Sequence, residues 1–162
     1  MKQTRWQLLR SILTICVVGI TVLSCKKDEP LYQVNAFEME LHHNVNKYRQ
    51  SQGLSSLVFF PDLFVEARQQ SAAWLNSGNP QEGLDDRFDK IFEHWEPVNL
   101  DVLLASINGK DTTAARIVVE GWLQDSLARN IIEEDHIQSG PGMAEGSDGK
   151  VYISYFFMKI HD

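Results

Sequence analysis

The sequence predicts an α+β fold, a three-layer α-β-α sandwich with a small central antiparallel sheet. Apolar residues recur at helical spacing in three separate segments, so three amphipathic helices each need a surface to cover. The chain ends in a hairpin pattern, in which Gly-Ser-Asp-Gly at 146–149 precedes a run of alternating apolar residues. A small sheet between the helices would bury both of its faces, which favours the sandwich.

Residues 37–51 predict the first helix, and Gly53 ends it. Its apolar stripe consists of Phe37, Leu41, Val45 and Tyr48. Residues 57–60 are interpreted as a short connector. Pro61 then opens a second helix at the favoured first-turn position, with Asp62 near the positive end of the helix dipole. The inner face of this helix is predicted to carry Phe64, Ala67, Ser71 and Trp74.

A short helix over 86–95 follows, with its inward positions at Phe88, Ile91, Phe92 and Trp95. Residues 98–105 are apolar enough for a strand or an extended buried segment. Thr112 or Thr113 is expected to cap the next helix, because a hydroxyl accepts from the free N–H groups of the first turn. The stripe of that helix comprises Ala114, Ile117, Val118, Gly121 and Trp122. The last strand covers 150–160, with Val151, Ile153, Tyr155 and Phe157 on one face.

The N-terminus predicts export and lipid anchoring. Residues 1–24 combine a basic start with an uncharged apolar run of about 22 Å, too short for a hydrocarbon core of roughly 30 Å, and a signal peptide is the better interpretation. The sequence Val-Leu-Ser-Cys at 22–25 resembles the lipobox of bacterial lipoproteins. That resemblance implies acylation of Cys25, a tether over 25–36, and a folded domain over 37–162 that is held at a membrane outside the cytoplasm.

An ordinary secretory signal with a chance cysteine near its end is the alternative. The other cysteine, Cys16, lies inside the apolar run, so we expect no disulfide in the exported domain. The charged stretch at 26–29 resembles the export signal of surface lipoproteins of the Bacteroidetes, which implies the outer membrane and leaves the leaflet open. The 22 acidic residues outnumber the 15 basic ones, which argues against a nucleic-acid partner.

Several motifs follow one another along the chain in a characteristic order. The first helix reads LHHNVNKYR at 41–49, and the second continues as ARQQSA at 67–72. The helix at 112–122 ends in EGW, and Arg-Asn-Ile-Ile follows at 129–132. Gly140, Gly142 and Ala144 then form a glycine-rich segment. In their order and spacing these motifs resemble the CAP superfamily of SCP-like domains, and the resemblance implies an α-β-α sandwich.

Typical members of this family carry two histidines and two acidic residues in a central cleft, and this set can hold a divalent metal. Here the segment of the first histidine, 78–85, contains no histidine, and Leu127 or Ala128 replaces the second. The resemblance places the acidic position on Asp101, and Asn130 follows the lost histidine, so we expect these two residues to line the cleft. One carboxylate does not hold zinc tightly, so we expect no metal and no cofactor there.

The histidines present are interpreted as packing or surface residues. His42 and His43 are adjacent on a helix, about 100° apart around its axis, and cannot easily face one ion. Glu38 and His42, four residues apart, are expected to form an exposed ion pair. His94 is expected to be packed or solvent-facing. His136 follows three acidic residues that could attract a cation, but a solvated acidic loop is favoured.

Catalytic residues are not assigned from the sequence. Trp74, Trp95 and Trp122 lie on apolar stripes and are expected in the core, and Ser126 has no histidine nearby in the chain. The tripeptides Asp-Thr-Thr at Thr112 and Asp-Ser-Leu at Ser126 resemble O-glycosylation acceptors of the Bacteroidetes; for Thr112, helix capping is the favoured alternative.

Two classes of function remain open. The first is a non-enzymatic, membrane-tethered binding module on the CAP scaffold, whose ligand could be an envelope glycan, a lipid or a protein. The second is a hydrolase or protease acting through Asp101. A histidine and a serine or acid beside Asp101 in one pocket would favour the enzyme, whereas Asp101 alone in an apolar pocket would favour the binding module.

Overall fold

A computed structural model describes residues 33–161 of the chain. Cys25 and the predicted signal peptide lie outside the described residues. In chain order the elements are α1 (Ala36–Ser51), β1 (Val58–Phe59), α2 (Pro61–Ser77), α3 (Leu84–Trp95), β2 (Asn99–Asn108), α4 (Thr112–Gln124), α5 (Ser126–Glu133), β3 (Gln138–Glu145) and β4 (Lys150–Lys159). The order of helices and strands confirms the predicted α+β class.

The four strands form one sheet in the order β1-β3-β4-β2. Strand β4 pairs antiparallel with both β2 and β3, which gives the predicted antiparallel centre. The segment interpreted as a connector adds the two-residue strand β1, parallel to β3. This pairing arises because the chain passes beside β3 on its way from α1 to α2, and the Val58 N–H donates to the Ile137 carbonyl at 2.8 Å.

Both faces of the sheet are covered by helices, which confirms the predicted sandwich. On one face, Tyr155 and Phe157 of β4 pack in a cluster with apolar residues of α1, α4 and α5. On the other face, Phe156 and Met158 pack with residues of α2 and α3. Neighbouring residues of a strand point to opposite faces, so β4 contributes to both cores. Six consecutive residues of β4, from Ile153 to Met158, are fully buried for this reason.

The predicted N-cap of α4 is wrong. Asp111, and not Thr112 or Thr113, is the N-cap of α4, and its side chain accepts from the Ala114 N–H at 2.7 Å. Both threonines are exposed. A carboxylate satisfies the free N–H groups as well as a hydroxyl does and also complements the positive end of the helix dipole.

Three predicted inward positions are also wrong. Phe92 of α3 and Ile117 and Gly121 of α4 are exposed. The buried face of α4 consists of Ala114, Ala115, Val118, Val119 and Trp122. Compared with the predicted stripe, this face is rotated around the helix axis toward Ala115 and Val119. Periodicity finds an apolar stripe, but the neighbouring helices decide which edge of that stripe is covered.

The start of the folded domain lies within the segment that we expected to be tether. Asn35 caps α1 in a reciprocal capping box with Glu38, and the Gln33 carbonyl accepts from Arg68 at 2.9 Å. Within residues 33–161, none of the helices combines the length and apolar character needed to cross a bilayer.

Candidate functional site

Asp101 lies near the start of the edge strand β2, opposite Phe157 of β4. Its side chain is 29% exposed and accepts a hydrogen bond from the His136 imidazole, with Nε2 and Oδ2 3.0 Å apart. The two residues are 35 positions apart in the chain. The residue that we expected to be the surviving cleft carboxylate therefore has an imidazole partner that sequence reasoning did not give it.

The expectation that His136 belongs to a solvated loop is wrong. His136 is 2% exposed, and its ring lies 5.7 Å from that of Phe157. Its acidic neighbours Glu134 and Asp135 are exposed, and Asp135 pairs with Lys159. The short segment between α5 and β3 enters the sheet at this point, so it turns the imidazole inward while the carboxylates stay in water.

Arg49 of α1 holds this segment in place. Its buried guanidinium donates to the carbonyls of Ile132 at 2.6 Å, Glu134 at 2.8 Å and His136 at 3.4 Å. Burial lowers the pKa of Arg49 from its ordinary value. Three carbonyl acceptors in one fan fix the backbone on both sides of Glu134, and this contact positions the His136 ring against Asp101.

Burial also lowers the pKa of His136, an effect only partly opposed by the nearby Asp101 carboxylate. The neutral imidazole is therefore favoured at neutral pH. Its Nδ1 atom is buried without a hydrogen-bond partner among the described residues. Ligand atoms of Asp101, Glu134 and His136 lie within 4.8 Å of one another, which is a grouping that could hold a metal ion.

Asp101 apart, the residues at the family's expected positions do not join this cluster. Asn130, the other expected cleft residue, is exposed on α5, and it contributes none of the hydrogen bonds that the described residues make to Asp101 or His136. Leu127 is 74% exposed and Ala128 is buried in the apolar core. Neither side chain has a metal-ligand atom, so the positions of the family's second histidine do not fit a metal.

A second polar cluster surrounds His42, beneath the α1 side of the sheet. His42 Nδ1 lies 2.8 Å from the Tyr155 hydroxyl and 3.3 Å from the Ser139 hydroxyl, and His42 Nε2 lies 3.1 Å from Asn46 Nδ2. Ser139 and Tyr155 are both completely buried. Burial lowers the pKa of His42 and raises that of Tyr155. The Ser139 and Tyr155 hydroxyl groups of this network therefore have no contact with solvent.

The prediction of an exposed ion pair between Glu38 and His42 is wrong. Glu38 is fully buried and forms a bidentate pair with Arg68 of α2, at 2.7 and 2.6 Å. It also accepts from the Met143 N–H of β3 at 3.1 Å. Helical spacing made the Glu38–His42 pair available, but the capping box and Arg68 turn the carboxylate away from His42.

The other residues considered from the sequence, three tryptophans, His94 and Ser126, lie in packed or exposed positions outside the two polar clusters. Trp122 is buried and donates to the Leu104 carbonyl at 3.4 Å, as expected of a core residue. Trp74 and Trp95 are half-buried, and each packs edge-on against an aromatic ring. His94 is exposed with its ring 5.2 Å from that of Trp95. Ser126 is exposed at the start of α5.

Two cavities lie between helices, away from Asp101. One of about 280 Å³ separates α2 from α3, and its lining includes Leu63, Glu66, Lys90, Ile91 and Trp95. The other, of about 260 Å³, separates α1 from α4 and includes Lys47, Tyr48, Arg116, Val119 and Glu120. Both combine apolar walls with charged groups.

The fold and its layered cores define a sandwich of the SCP type. The sequence profile described as "CAP: Cysteine-rich secretory protein family" matches residues 42–158, and the chain belongs to this family. A search of curated protein sequences found no match.

Solved structures share the fold at low sequence identity. An outer surface protein from Borrelia burgdorferi superposes with a TM-score of 0.62 at 16% identity, over 80% of this chain and 98% of that protein. An extracellular protein with an SCP domain from Bacillus anthracis gives 0.61 at 15%, over 76% and 40% of the two chains. The venom allergen-like protein 4 of Schistosoma mansoni gives 0.57 at 12%, over 80% and 92%.

Proposed function

We propose that this chain is a lipid-anchored, extracytoplasmic CAP domain that binds a ligand without cleaving it. One observation carries the choice of binding over catalysis. Within residues 33–161, the hydrogen bond between a serine and a histidine joins Ser139 to His42, and Ser139 is 0% exposed. A nucleophile must reach its substrate, and this hydroxyl lies beneath the surface.

The location outside the cytoplasm is supported by the relatives and by the N-terminal sequence. Among proteins with this fold, one is named an outer surface protein and another an extracellular protein. The lipobox-like sequence before Cys25 supplies the anchor in this proposal, through acylation of that residue and insertion into the outer membrane. Several acyl chains on one residue hold a soluble domain at a membrane where a single chain gives only marginal binding.

The cavities limit the size of the ligand group that can bind in this proposal. At about 280 Å³, the cavity between α2 and α3 is near the lower limit of small-molecule sites, so it fits one group of a larger ligand. Trp95 supplies an aromatic wall, and Lys90 and Glu66 supply polar contacts. An envelope glycan, a lipid or a protein segment can present such a group.

The anchor is tested by fractionating cells that produce the wild type or Cys25→Ala. We expect the wild type in the membrane fraction and the variant in the soluble extracytoplasmic fraction. The binding role is tested by pull-down from the native envelope with the wild type and Trp95→Ala, with Phe92→Ala as a control for an exposed aromatic residue on the same helix. Membrane retention of Cys25→Ala, or an identical set of captured molecules with Trp95→Ala, would count against the proposal.

The contact between Asp101 and His136 favours a second candidate, hydrolysis centred on Asp101. A carboxylate, a neutral imidazole and the nearby Glu134 could activate a water molecule as general base. His136 and Glu134 are the histidine and the acid that would favour an enzyme, but neither cavity between the helices includes Asp101, which ranks the candidate second. Turnover on a panel of peptides and esters that falls at least a hundredfold in Asp101→Ala would establish it, and unchanged turnover would remove Asp101 from the mechanism.

A further inference from the structure

We propose that the cavity between α2 and α3 binds one uncharged pyranose ring of an envelope glycan. The proposal rests on the binding function proposed above and names the ligand class of that cavity. The lining of this cavity, which measures about 280 Å³, places an apolar surface beside hydrogen-bond donors and acceptors. A pyranose presents the two matching features, an apolar C–H face and a rim of hydroxyl groups.

Trp95 supplies the aromatic wall of the cavity, and two neighbouring rings fix its orientation. The Phe60 ring packs edge-on against the indole with the centroids 4.9 Å apart, and the His94 ring lies 5.2 Å away. Trp95 is half-buried, so part of the indole is open to a ligand. The negative face of an aromatic ring attracts the weakly positive C–H groups of a sugar, and a side chain that is already held in place loses little freedom on binding.

The charges around the cavity balance, which favours an uncharged ligand group. The carboxylate of Glu66 pairs with Lys90, and Arg87 of α3 lies 3.4 Å from the same carboxylate. The other carboxylate of the lining belongs to Asp62, which forms no ion pair within residues 33–161. Two carboxylates therefore face two cations. An anionic ligand group would be repelled by the carboxylates, and a cationic group beside Asp62 would lie near the like charges of Lys90 and Arg87.

The polar groups of the lining suit hydroxyl groups, which both donate and accept hydrogen bonds. The exposed Asp62 carboxylate accepts none of the hydrogen bonds found in residues 33–161, so its oxygens are available to sugar hydroxyls. Lys90 directs one N–H group to Glu66 and is 63% exposed, which leaves further N–H groups to donate. The exposed His94 ring can donate or accept. An acyl chain would displace water from these groups without replacing its hydrogen bonds, which disfavours a lipid tail.

The walls of the cavity also favour a sugar over an extended peptide. Both walls are helices, whose backbone N–H and C=O groups bond mostly within the helix, so they offer no strand edge. An extended peptide gains its affinity mainly from main-chain hydrogen bonds to such an edge. A sugar ring needs only side chains, and the lining provides an aromatic face, a carboxylate and an ammonium group around one opening.

A glycan array that carries neutral, amino and acidic saccharides, together with glycans released from the native envelope, tests the proposal with the full chain in detergent. We expect binding to neutral saccharides, followed by calorimetric titration with the best-bound neutral oligosaccharide. Trp95→Ala should weaken the Kd by about tenfold or more. The matched control is Trp74→Ala, a half-buried tryptophan outside the cavity that also packs edge-on against an aromatic ring, and its Kd should equal that of the wild type.

Two further variants separate loss of contact from loss of fold. Trp95→Phe keeps an aromatic wall and should retain measurable binding, with circular dichroism confirming that each variant is folded. Asp62→Asn, at an exposed site in the first turn of α2, should weaken the Kd by about tenfold, the effect of one hydrogen bond to a charged group. Its control is Asp86→Asn, an exposed aspartate in the first turn of α3 outside the lining, which should bind as the wild type does.

Salt dependence reports on the charge of the ligand group. The Kd for an uncharged sugar should change by less than about twofold between about 50 and about 500 mM NaCl, because no ion pair is screened. Absence of binding to every saccharide, equal affinity in the Trp95→Ala and Trp74→Ala variants, or binding only to charged saccharides with strong salt dependence would each overturn the proposal. Trp95-dependent capture of a lipid or a protein from the envelope, without saccharide binding, would keep the binding function and refute the glycan.

Discussion

Burial gives His42 chemical properties that its position in the chain does not suggest. It follows Leu41 and precedes the exposed His43, yet its ring lies between Tyr155, Ser139 and Asn46. Desolvation is the largest contribution to its lowered pKa, as it is for His136. Both imidazoles are therefore held in the neutral form by the fold, one in a sealed network and the other beside a partly exposed carboxylate.

The lowered pKa of His42 predicts acid sensitivity. The unfolded chain, with an ordinary histidine pKa of 6.5, takes up a proton that the folded His42 does not. Stability is therefore complete above pH 6.5 and falls as the pH drops below it, by up to about 1.4 kcal/mol per pH unit for each such histidine. Urea unfolding of the wild type from pH 7.5 to pH 5 in EDTA should show this slope, to which His136 also contributes.

The matched variants are His42→Gln and His43→Gln. His42→Gln should be less stable at every pH but should have a shallower pH slope, because one of the two protons is no longer linked to unfolding. His43 is exposed, and His43→Gln should keep the wild-type slope. A slope that His42→Gln leaves unchanged would show that other groups cause the acid sensitivity.

At the scale of elements, the packing of α2 on β3 depends on two glycines. A Cβ at Gly140 would lie 2.3 Å from the Phe64 backbone nitrogen, and a Cβ at Gly142 would lie 2.2 Å from that of Arg68. The helix backbone therefore rests directly on the strand, and side chains at these two positions would separate them. The same close approach brings Ser71 to the Gly142 carbonyl, at 3.0 Å.

Gly142→Ala should destabilise the protein by about 2–3 kcal/mol or more, because backbone atoms of α2 must move to admit the methyl group. The control is Gly121→Ala, at an exposed position within α4 where a Cβ meets no atom within 4 Å. Alanine should stabilise that helix by about 0.5–1 kcal/mol. Thermal unfolding by circular dichroism measures both, and a neutral Gly142→Ala would contradict the close packing.

At the scale of the whole molecule, one strand joins two cores. Phe157 lies in the core with α1, α4 and α5, and its neighbour Phe156 lies in the core with α2 and α3. Since β4 lies between the other long strands, neither core can open without exposing the sheet that supports the other. The two cores are therefore expected to unfold together.

Phe156→Ala and Phe157→Ala should each destabilise the whole domain by about 3–5 kcal/mol in a single transition. Tryptophan fluorescence, which reports on both cores through Trp95 and Trp122, should change together with far-ultraviolet circular dichroism. Phe92→Ala, at an exposed site, should shift stability by no more than about 0.5 kcal/mol. Separate transitions in either core variant would show two independent folding units.

The local patterns predicted most of the architecture. Stripes such as Phe37-Leu41-Val45 are buried as predicted, and the Gly146–Gly149 turn joins β3 to β4. The predictions that were wrong involve competition between neighbours, as when Glu38 pairs with Arg68 of α2 and not with His42. Asp101 was identified from the resemblance, but its contact with His136 spans 35 residues and leaves no local pattern in the chain.

The sequence by itself determined the fold class and the family, because periodicity, turn residues and ordered motifs are local properties of the chain; the export signal stays a prediction. Only the tertiary structure decided which polar side chains meet. Hydrogen bonds and metal ligation act over about 2–3 Å, and the distances between Asp101, Glu134 and His136 are set by strand pairing and by Arg49 on a distant helix.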